Sequence, residues 1–272
     1  MEIGFFCTYW GSEHLSWPAF LAKAKAAGYD GVEASLPADP VLQKTMINQL
    51  KDFDLKLIGV HWDTVCPDFG QHKKELITRL NTLAVATPMF ITSHTGKDHF
   101  SFKQNIELLL LAEEISTTTG IKILHETHRG KFSYASHITE TFLKELPWLQ
   151  LTLDISHWFT VAESYLDDQT EAVELALSRT RHIHSRIGSM QGPQVTDPEY
   201  PECQPAVDNH LKYWDKVIAM RKENNEKQFT FTSEFGPFPY MSALPANISA
   251  ETQQWNINYY MKELLKSRYY AD

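Results

Sequence analysis

The sequence predicts a single (β/α)8 barrel domain that spans residues 1–272, and two observations predict it. Segments with strand period alternate along the chain with segments of helical period, an arrangement typical of parallel βαβ units. Eight such pairs fit within the chain, whose length of 272 residues is close to that of a barrel of this type. An open, doubly wound parallel sheet is the runner-up. No linker or low-complexity segment divides the chain.

The predicted strands are short segments rich in branched and aromatic residues, which favour a pleated backbone. In chain order they are Ile3–Trp10, Gly31–Leu36, Lys56–Trp62, Met89–Thr95, Ile121–His128, Leu151–Ser156, Arg181–Ile187 and Phe229–Phe235.

The predicted helices carry apolar residues three or four positions apart, as the helical repeat requires. Ser16 is the predicted cap of the first helix, and Leu42, Met46 and Leu50 share one face of the second. An irregular segment rich in proline and glycine, residues 188–205, precedes the seventh helix. The helices are Trp17–Ala27, Pro40–Asp52, His72–Ala86, Phe102–Thr118, Ala135–Leu146, Ala162–Leu177, Val207–Glu223 and Ala250–Lys266.

Charge and cysteine content narrow the classes of function. The chain has 25 basic and 34 acidic residues, a net charge of −9, which argues against a nucleic-acid partner. Cys7, Cys66 and Cys203 are widely spaced and indicate reduced thiols rather than a disulfide framework. There is no signal-peptide pattern and no apolar run long enough to cross a membrane. We expect a cytoplasmic protein with a small-molecule substrate, and a homo-oligomer is compatible with the sequence.

The sixth strand carries the most informative side chain. Aliphatic residues at 151, 153 and 155 alternate with Thr152, Asp154 and Ser156, and His157 follows. An acidic residue on the inner face of an apolar strand is costly unless something binds it. The pattern therefore predicts that Asp154 has a partner inside the barrel.

The same period of two places an ionisable residue on the inner face near the end of seven of the eight strands. In strand seven, His182, His184 and Arg186 share a face, and in strand eight Glu234 shares one with two threonines. Strand ends converge on one mouth of a barrel, where barrel enzymes carry their catalytic residues. The seven converging residues are Glu33, His61, His94, Glu126, Asp154, His184 and Glu234.

Four of these residues form a mixed oxygen and nitrogen ligand set for one divalent metal ion. Glu126, Asp154 and His184 are about one βα unit apart, and Glu234 follows the irregular segment. Such a set suits Mn, Mg, Co or Zn, and the absence of thiolates argues against a structural zinc.

Four short motifs resemble the metal-site motifs of the xylose isomerase-like barrel superfamily. They are ILHETH, LDISHW, HIHSR and TSEFGP. That superfamily includes tagatose and psicose epimerases, hydroxypyruvate isomerase, inosose dehydratase and endonuclease IV of the AP endonuclease family 2 type. The segments RIGSMQGPQVTDPEYPE and SEFGPFPYM resemble an uncharacterised branch of sugar phosphate isomerase/epimerase-like proteins.

The resemblance implies roles for individual residues. The metal ligands would be the four residues already named, and Glu126 and Glu234 would also exchange protons with carbon, as the ligand glutamates do in ketose epimerases. His157, in a D-x-x-H motif with Asp154, would contact substrate oxygens, and so would Arg186. Three further histidines are candidates for the substrate pocket: His128, His61 and His94. His61 and His94 match positions that bind an extra metal in the endonuclease group.

This ligand set predicts proton transfer next to a carbonyl group. A divalent cation stabilises the enediolate that forms when a carboxylate removes the proton. Return of the proton gives an isomerase or epimerase of a small sugar or polyol, our main prediction. Loss of a hydroxyl group gives a dehydratase of the inosose dehydratase kind. An endonuclease IV-like phosphodiesterase and a non-catalytic barrel are further alternatives.

Each candidate residue also has a structural interpretation. The four ligand candidates could form a buried ion-pair network that closes the barrel. His157 could cap the following helix, and Arg186 could neutralise a carboxylate without touching substrate. His61 and His94 could be hydrogen-bonded core histidines. Glu33 is expected to support the site rather than take part in catalysis.

Overall fold

A computed structural model of the chain describes residues 1–241 and 248–270. Eight parallel strands form a closed barrel in which each strand pairs with the next in sequence and the eighth pairs with the first. The predicted single-domain (β/α)8 barrel is therefore confirmed, and the open doubly wound sheet is excluded. No helix in the described residues is long and apolar enough to cross a lipid bilayer.

The strands overlap all eight predicted segments and end earlier than predicted. They are β1 Glu2–Thr8, β2 Gly31–Ala34, β3 Lys56–His61, β4 Ile91–Ser93, β5 Ile123–Glu126, β6 Leu151–Leu153, β7 Thr180–His184 and β8 Gln228–Ser233. The residues just beyond each strand have left the hydrogen-bonded ladder, and several of them turn into the mouth of the barrel.

Nine α-helices surround the barrel in the described part of the chain. They are α1 Trp17–Ala26, α2 Pro40–Asp52, α3 Phe69–Ala84, α4 Phe102–Thr119, α5 Ser136–Glu145, α6 Ser156–Ala162, α7 Thr170–Arg179, α8 Gln204–Glu223 and α9 Ala250–Tyr270. Local sequence explains the ends of α4, where Ser101 and Gln104 form a capping box and Gly120 adopts a φ of 73°.

The structure adds two details to the predicted helices α1 and α2. Ser16 precedes α1, but its side chain makes no capping hydrogen bond. Leu42 is 51% exposed, whereas Met46 and Leu50 are buried. Residues 38–42 are all exposed, so Leu42 lies in a solvent-exposed first turn of α2.

The sixth βα unit differs most from the prediction. Ser156 begins α6 instead of ending a strand, because its amide nitrogen donates to Asp154 Oδ1 over 3.0 Å and turns the chain. The predicted helix Ala162–Leu177 is two helices, α6 and α7. They are separated because Glu163 and Leu166 adopt positive φ angles of 48° and 62°, which no helix interior contains.

The inner and outer faces of the strands alternate as the sequence predicts. Leu151, Leu153 and Ile183 face outward into the core between strands and helices and are fully buried. Inside the barrel, the hydroxyl groups of Thr92 and Thr152 lie 3.0 Å apart. The helices therefore pack against the apolar outer face of the strands, and polar side chains line the interior toward one mouth of the barrel.

Candidate metal centre and active site

The four predicted ligands lie together at the carboxyl ends of the strands. Glu126 ends β5 and His184 ends β7, while Asp154 follows β6 and Glu234 follows β8. His184 Nδ1 lies 3.0 Å from Glu234 Oε2 and 3.4 Å from Glu126 Oε2. All four residues are buried. Strand geometry thus brings Glu126 and Glu234 close together, although they are 108 residues apart in the sequence.

Glu33 orients the imidazole of His184. His184 Nε2 lies 3.1 Å and 3.2 Å from the two carboxylate oxygens of Glu33, at the mouth end of β2. When Nε2 donates its hydrogen to that carboxylate, Nδ1 carries the lone pair that faces Glu126 and Glu234. A carboxylate that holds the second nitrogen of a histidine in this way is the usual partner of a metal-binding imidazole.

Two buried atoms of this cluster have no hydrogen-bond partner among the described residues. They are Glu126 Oε1 and His184 Nδ1. A buried polar atom without a partner costs about 1–3 kcal/mol. Both are atoms of the kind that divalent cations bind, so a bound cation would satisfy them.

The charge of the cluster also fits a cation. Glu33, Glu126, Asp154 and Glu234 are four buried carboxylates, and Arg186 is the permanent positive charge beside them. Burial lowers the pKa of His184, but the charges of Glu234, Glu33 and Glu126 raise it well above its usual range. The cluster therefore attracts positive charge, which a proton or a divalent ion can supply.

The surroundings of Glu126 favour its ionised form. Burial alone would raise its pKa, but the neighbouring His94 and His184 lower the pKa of Glu126 well below its usual range. Glu126, His184 and Glu234 each offer a donor atom to one common point. These three residues are the ones that the geometry favours most as metal ligands.

Asp154 differs from the other three predicted ligands. Its Oδ1 accepts from the amide nitrogen and hydroxyl group of Ser156, and its Oδ2 accepts from Nε and Nη2 of Arg186. Arg186 Nη2 also donates to Glu234 Oε2 over 3.2 Å. A carboxylate accepts about four hydrogen bonds in all, so a cation at Asp154 would have to share it with Arg186.

His157 lies between two guanidinium groups. Arg129 Nη1 donates to His157 Nδ1 over 3.0 Å, and Arg186 Nη2 lies 3.2 Å from His157 Nε2. The same Nε2 is 3.6 Å from Asp154 Oδ2. Burial and the charges of His128 and Arg186 lower the pKa of His157 well below its usual range. The surroundings of His157 therefore disfavour its positively charged form.

The other predicted histidines divide into two groups. His94 Nε2 lies 2.6 Å from Glu126 Oε2, and the rings of His94 and His128 are 4.5 Å apart, so both line the mouth. His61 is fully buried, with Nδ1 2.9 Å from the Ser93 hydroxyl and Nε2 2.7 Å from the Thr64 hydroxyl. The structure does not bring His61 together with the others, and its geometry favours the structural interpretation.

Two residues near the cluster have no role in the sequence-based prediction. Arg129 follows β5 and contacts His157, and the ring of Tyr240 lies 4.7 Å from the Arg186 guanidinium and 5.0 Å from that of Arg129. The sequence offers one signal for Arg129: it comes shortly after β5, which ends in the predicted ligand Glu126. Tyr240 lies in a loop that no periodicity describes.

Trp10 completes the wall around Arg186, with the Arg186 guanidinium 5.9 Å from its ring. The Trp10 ring can lie here because residue 236 is a glycine. A Cβ atom at residue 236 would lie 2.2 Å from that ring. The side chain of Gln194 bonds both the amide and the carbonyl group of Gly236. The segment that follows β7 is therefore attached to the wall of the site.

Comparisons with solved structures show the same fold over nearly the whole chain. The 3-keto-D-glucoside 4-epimerase of E. coli has a TM-score of 0.60 at 14% identity, with 97% of this chain and 99% of that chain covered. The probable 3-DHS dehydratase AsbF of Bacillus anthracis has a TM-score of 0.62 at 16% identity, with 98% and 100% covered. A xylose isomerase-like TIM barrel protein of Mycobacterium smegmatis, in complex with magnesium, has a TM-score of 0.65 at 12% identity, with 97% of each chain covered.

At such identities the structural likeness concerns the fold. No curated protein matches the sequence. The family model described as xylose isomerase-like TIM barrel matches residues 21–190, more than half of the chain. The chain therefore belongs to the xylose isomerase-like TIM barrel family.

Proposed function

We propose that the protein is a divalent-metal-dependent isomerase or epimerase of a small sugar or polyol carbonyl compound. The observation that carries the proposal is the convergence of Glu126, His184 and Glu234 on one point, with two of their buried atoms unsatisfied among the described residues. These three residues would hold one Mn, Mg, Co or Zn ion, and Asp154 would join them if it shares its carboxylate with Arg186.

The proposed roles follow from charge and position. A bound divalent cation would stabilise the negative charge that develops on the substrate oxygens during proton removal. Glu126 and Glu234 are the carboxylates that would take a proton from carbon and return it. His157 and Arg186 would donate hydrogen bonds to substrate oxygens, and His94 and His128 would line the substrate pocket.

Dehydration is the alternative that begins with the same proton removal, and a probable dehydratase shares the fold. Endonuclease activity is less favoured because the net charge of the chain is −9. The three cysteines are free, which supports the expected cytoplasmic location. We expect a small-molecule substrate and no nucleic-acid or membrane partner.

The first test measures metal content by mass spectrometry after dialysis against Mn, Mg, Zn or Co. We expect about one ion per chain, and we expect Glu126→Ala to lose it. Two or three ions per chain would favour the phosphodiesterase alternative. The absence of a bound ion under every condition would contradict the proposal.

The second test follows deuterium incorporation from heavy water into a panel of ketoses and aldoses. Glu234→Gln should lower the exchange rate about 10²- to 10⁴-fold, the usual contribution of a general acid or base. Glu171→Gln, which changes an exposed carboxylate on α7, is the matched control and should exchange normally. Full activity of Glu234→Gln would refute the two-carboxylate mechanism, and release of water with an unsaturated product would identify a dehydratase.

A further inference from the structure

A cavity of about 690 Å3 lies beside the cluster of Glu126, His184 and Glu234. Ser189 and residues 191–196, which follow β7, line one part of it, and Tyr240 and Arg129 line another. This volume lies in the range of small-molecule sites in proteins. Arg129 and Tyr240 connect the cavity to the cluster, because they contact His157 and Arg186.

The guanidinium of Arg129 is held in a defined position in the cavity wall. Nη1 donates to His157 Nδ1 over 3.0 Å, and the group lies 5.0 Å from the centre of the Tyr240 ring. Neither of these contacts is with a carboxylate. These contacts orient the guanidinium without neutralising its charge.

No carboxylate in residues 1–241 and 248–270 forms an ion pair with Arg129. Arg79, Arg186 and Arg268, by contrast, each have a carboxylate partner. Glu202, an acidic residue that lines the cavity, is exposed to solvent. A half-buried guanidinium with no carboxylate partner in the described part of the chain favours an anion that can accept two hydrogen bonds from it.

The rest of the cavity wall suits a polyhydroxylated molecule. Ser189, Gln191 and Thr196 contribute neutral hydroxyl and amide groups that can bond to sugar hydroxyl groups. Among the described residues of the lining, Arg129 is the one basic residue, so it is the feature that selects for charge.

We propose that Arg129 binds a carboxylate or phosphate group of the substrate, so that the substrate is a sugar acid or a sugar phosphate rather than a neutral sugar. The identification of this cavity with the substrate site rests on the proposed function. The anionic end of the substrate would lie at Arg129, and its carbonyl end would point to Glu126 and Glu234.

Calorimetric titration of metal-free protein in EDTA tests the proposal without any reaction. The probes are gluconate, ribose 5-phosphate and the neutral polyol sorbitol, at low ionic strength. We expect wild-type protein to bind at least one anionic probe about tenfold or more tightly than sorbitol, because hydrogen bonds to charged groups are stronger than those to neutral ones. Arg129→Gln should lose this preference, and Arg129→Lys should keep part of it.

Lys97→Gln is the matched control, since it removes a positive charge after β4 that does not line the cavity. It should bind the anionic probes as wild type does. Tighter binding of ribose 5-phosphate would assign a sugar phosphate, and tighter binding of gluconate would assign a sugar acid. Equal binding of all three probes by wild type, or unchanged anion binding by Arg129→Gln, would overturn the proposal.

These outcomes are separate from those of the proposed function. Anion binding that depends on Arg129, together with absent metal and absent deuterium exchange, would retain the anion site and refute the isomerase. Metal-dependent deuterium exchange into neutral sugars alone would support the isomerase and refute the anion site.

Discussion

At the scale of single residues, the environment of His184 decides which of its nitrogen atoms can bind a ligand. Glu33 occupies Nε2, and Glu126 and Glu234 surround Nδ1. The His184 imidazole thus lies between the Glu33 carboxylate, which orients it, and the carboxylates of Glu126 and Glu234, which are the other candidate metal ligands. Removal of the support should therefore change metal binding without removing a ligand.

We predict that Glu33→Gln weakens metal binding about 10- to 100-fold, the usual effect of losing a partner of a ligand histidine. The neutral amide can still accept a hydrogen bond, so the barrel should keep its fold by circular dichroism. Competitive titration with a chelating dye measures the affinity. Glu107→Gln, which changes a partly exposed carboxylate on α4, is the control. Wild-type affinity in Glu33→Gln would show that Glu33 does not orient His184.

At the scale of elements, the segment between β7 and α8 is attached to the site by side chains rather than by regular backbone pairing. Gln194 bonds both backbone groups of Gly236, and Gln253 on α9 donates to Asp197 over 2.8 Å. These contacts hold one wall of the cavity against the loop that follows β8. The wall should loosen when they are removed.

Gln194→Ala should lower the free energy of unfolding by about 1–3 kcal/mol, because a part-buried backbone amide and carbonyl lose their partners. Urea denaturation measures this change. Gln191→Ala, an exposed position in the same segment, should leave stability within about 0.5 kcal/mol of wild type. Equal stability of the two variants would mean that Gln194 does not anchor the segment.

At the scale of the whole molecule, closure of the barrel creates the cluster. β2 carries Glu33 and β7 carries His184, and the strands β8 and β1 stand between them. In an open sheet with the same strands these two side chains could not meet across the interior. Cation binding should therefore stabilise the closed barrel as a whole.

We predict that a divalent cation at a hundredfold excess over its Kd stabilises the protein by about 2.7 kcal/mol. Thermal unfolding with EDTA, and then with Mn, Mg, Co or Zn, measures the effect as a rise in Tm. Glu126→Ala should abolish the rise, while Glu171→Ala on the exposed face of α7 should preserve it. A Tm that no cation changes would contradict a metal site built by the folded barrel.

Much of the site could be predicted because strand period links local sequence to position. Inward residues at the ends of parallel strands must converge, so Glu126, Asp154, His184 and Glu234 are predicted to meet. The structure groups Glu126 with His184 and Glu234, and it places Asp154 in a second group with Glu126 and His157. The bond between Asp154 and Ser156 could not be predicted from period alone. It depends on a turn after Leu153, whereas the alternating pattern of Leu151–Ser156 predicts a strand that continues to Ser156.

By itself the sequence determined the order and type of the strands and helices and the inner face of each strand, because those properties depend on spacings of two to four residues. Only the tertiary structure decided which inward residues became partners. Glu33 and His184 are 151 positions apart, and in residues 1–241 and 248–270 the lack of a carboxylate partner for Arg129 depends on what surrounds it in space. Such pairings depend on the closure and register of the barrel, which local periodicity does not encode.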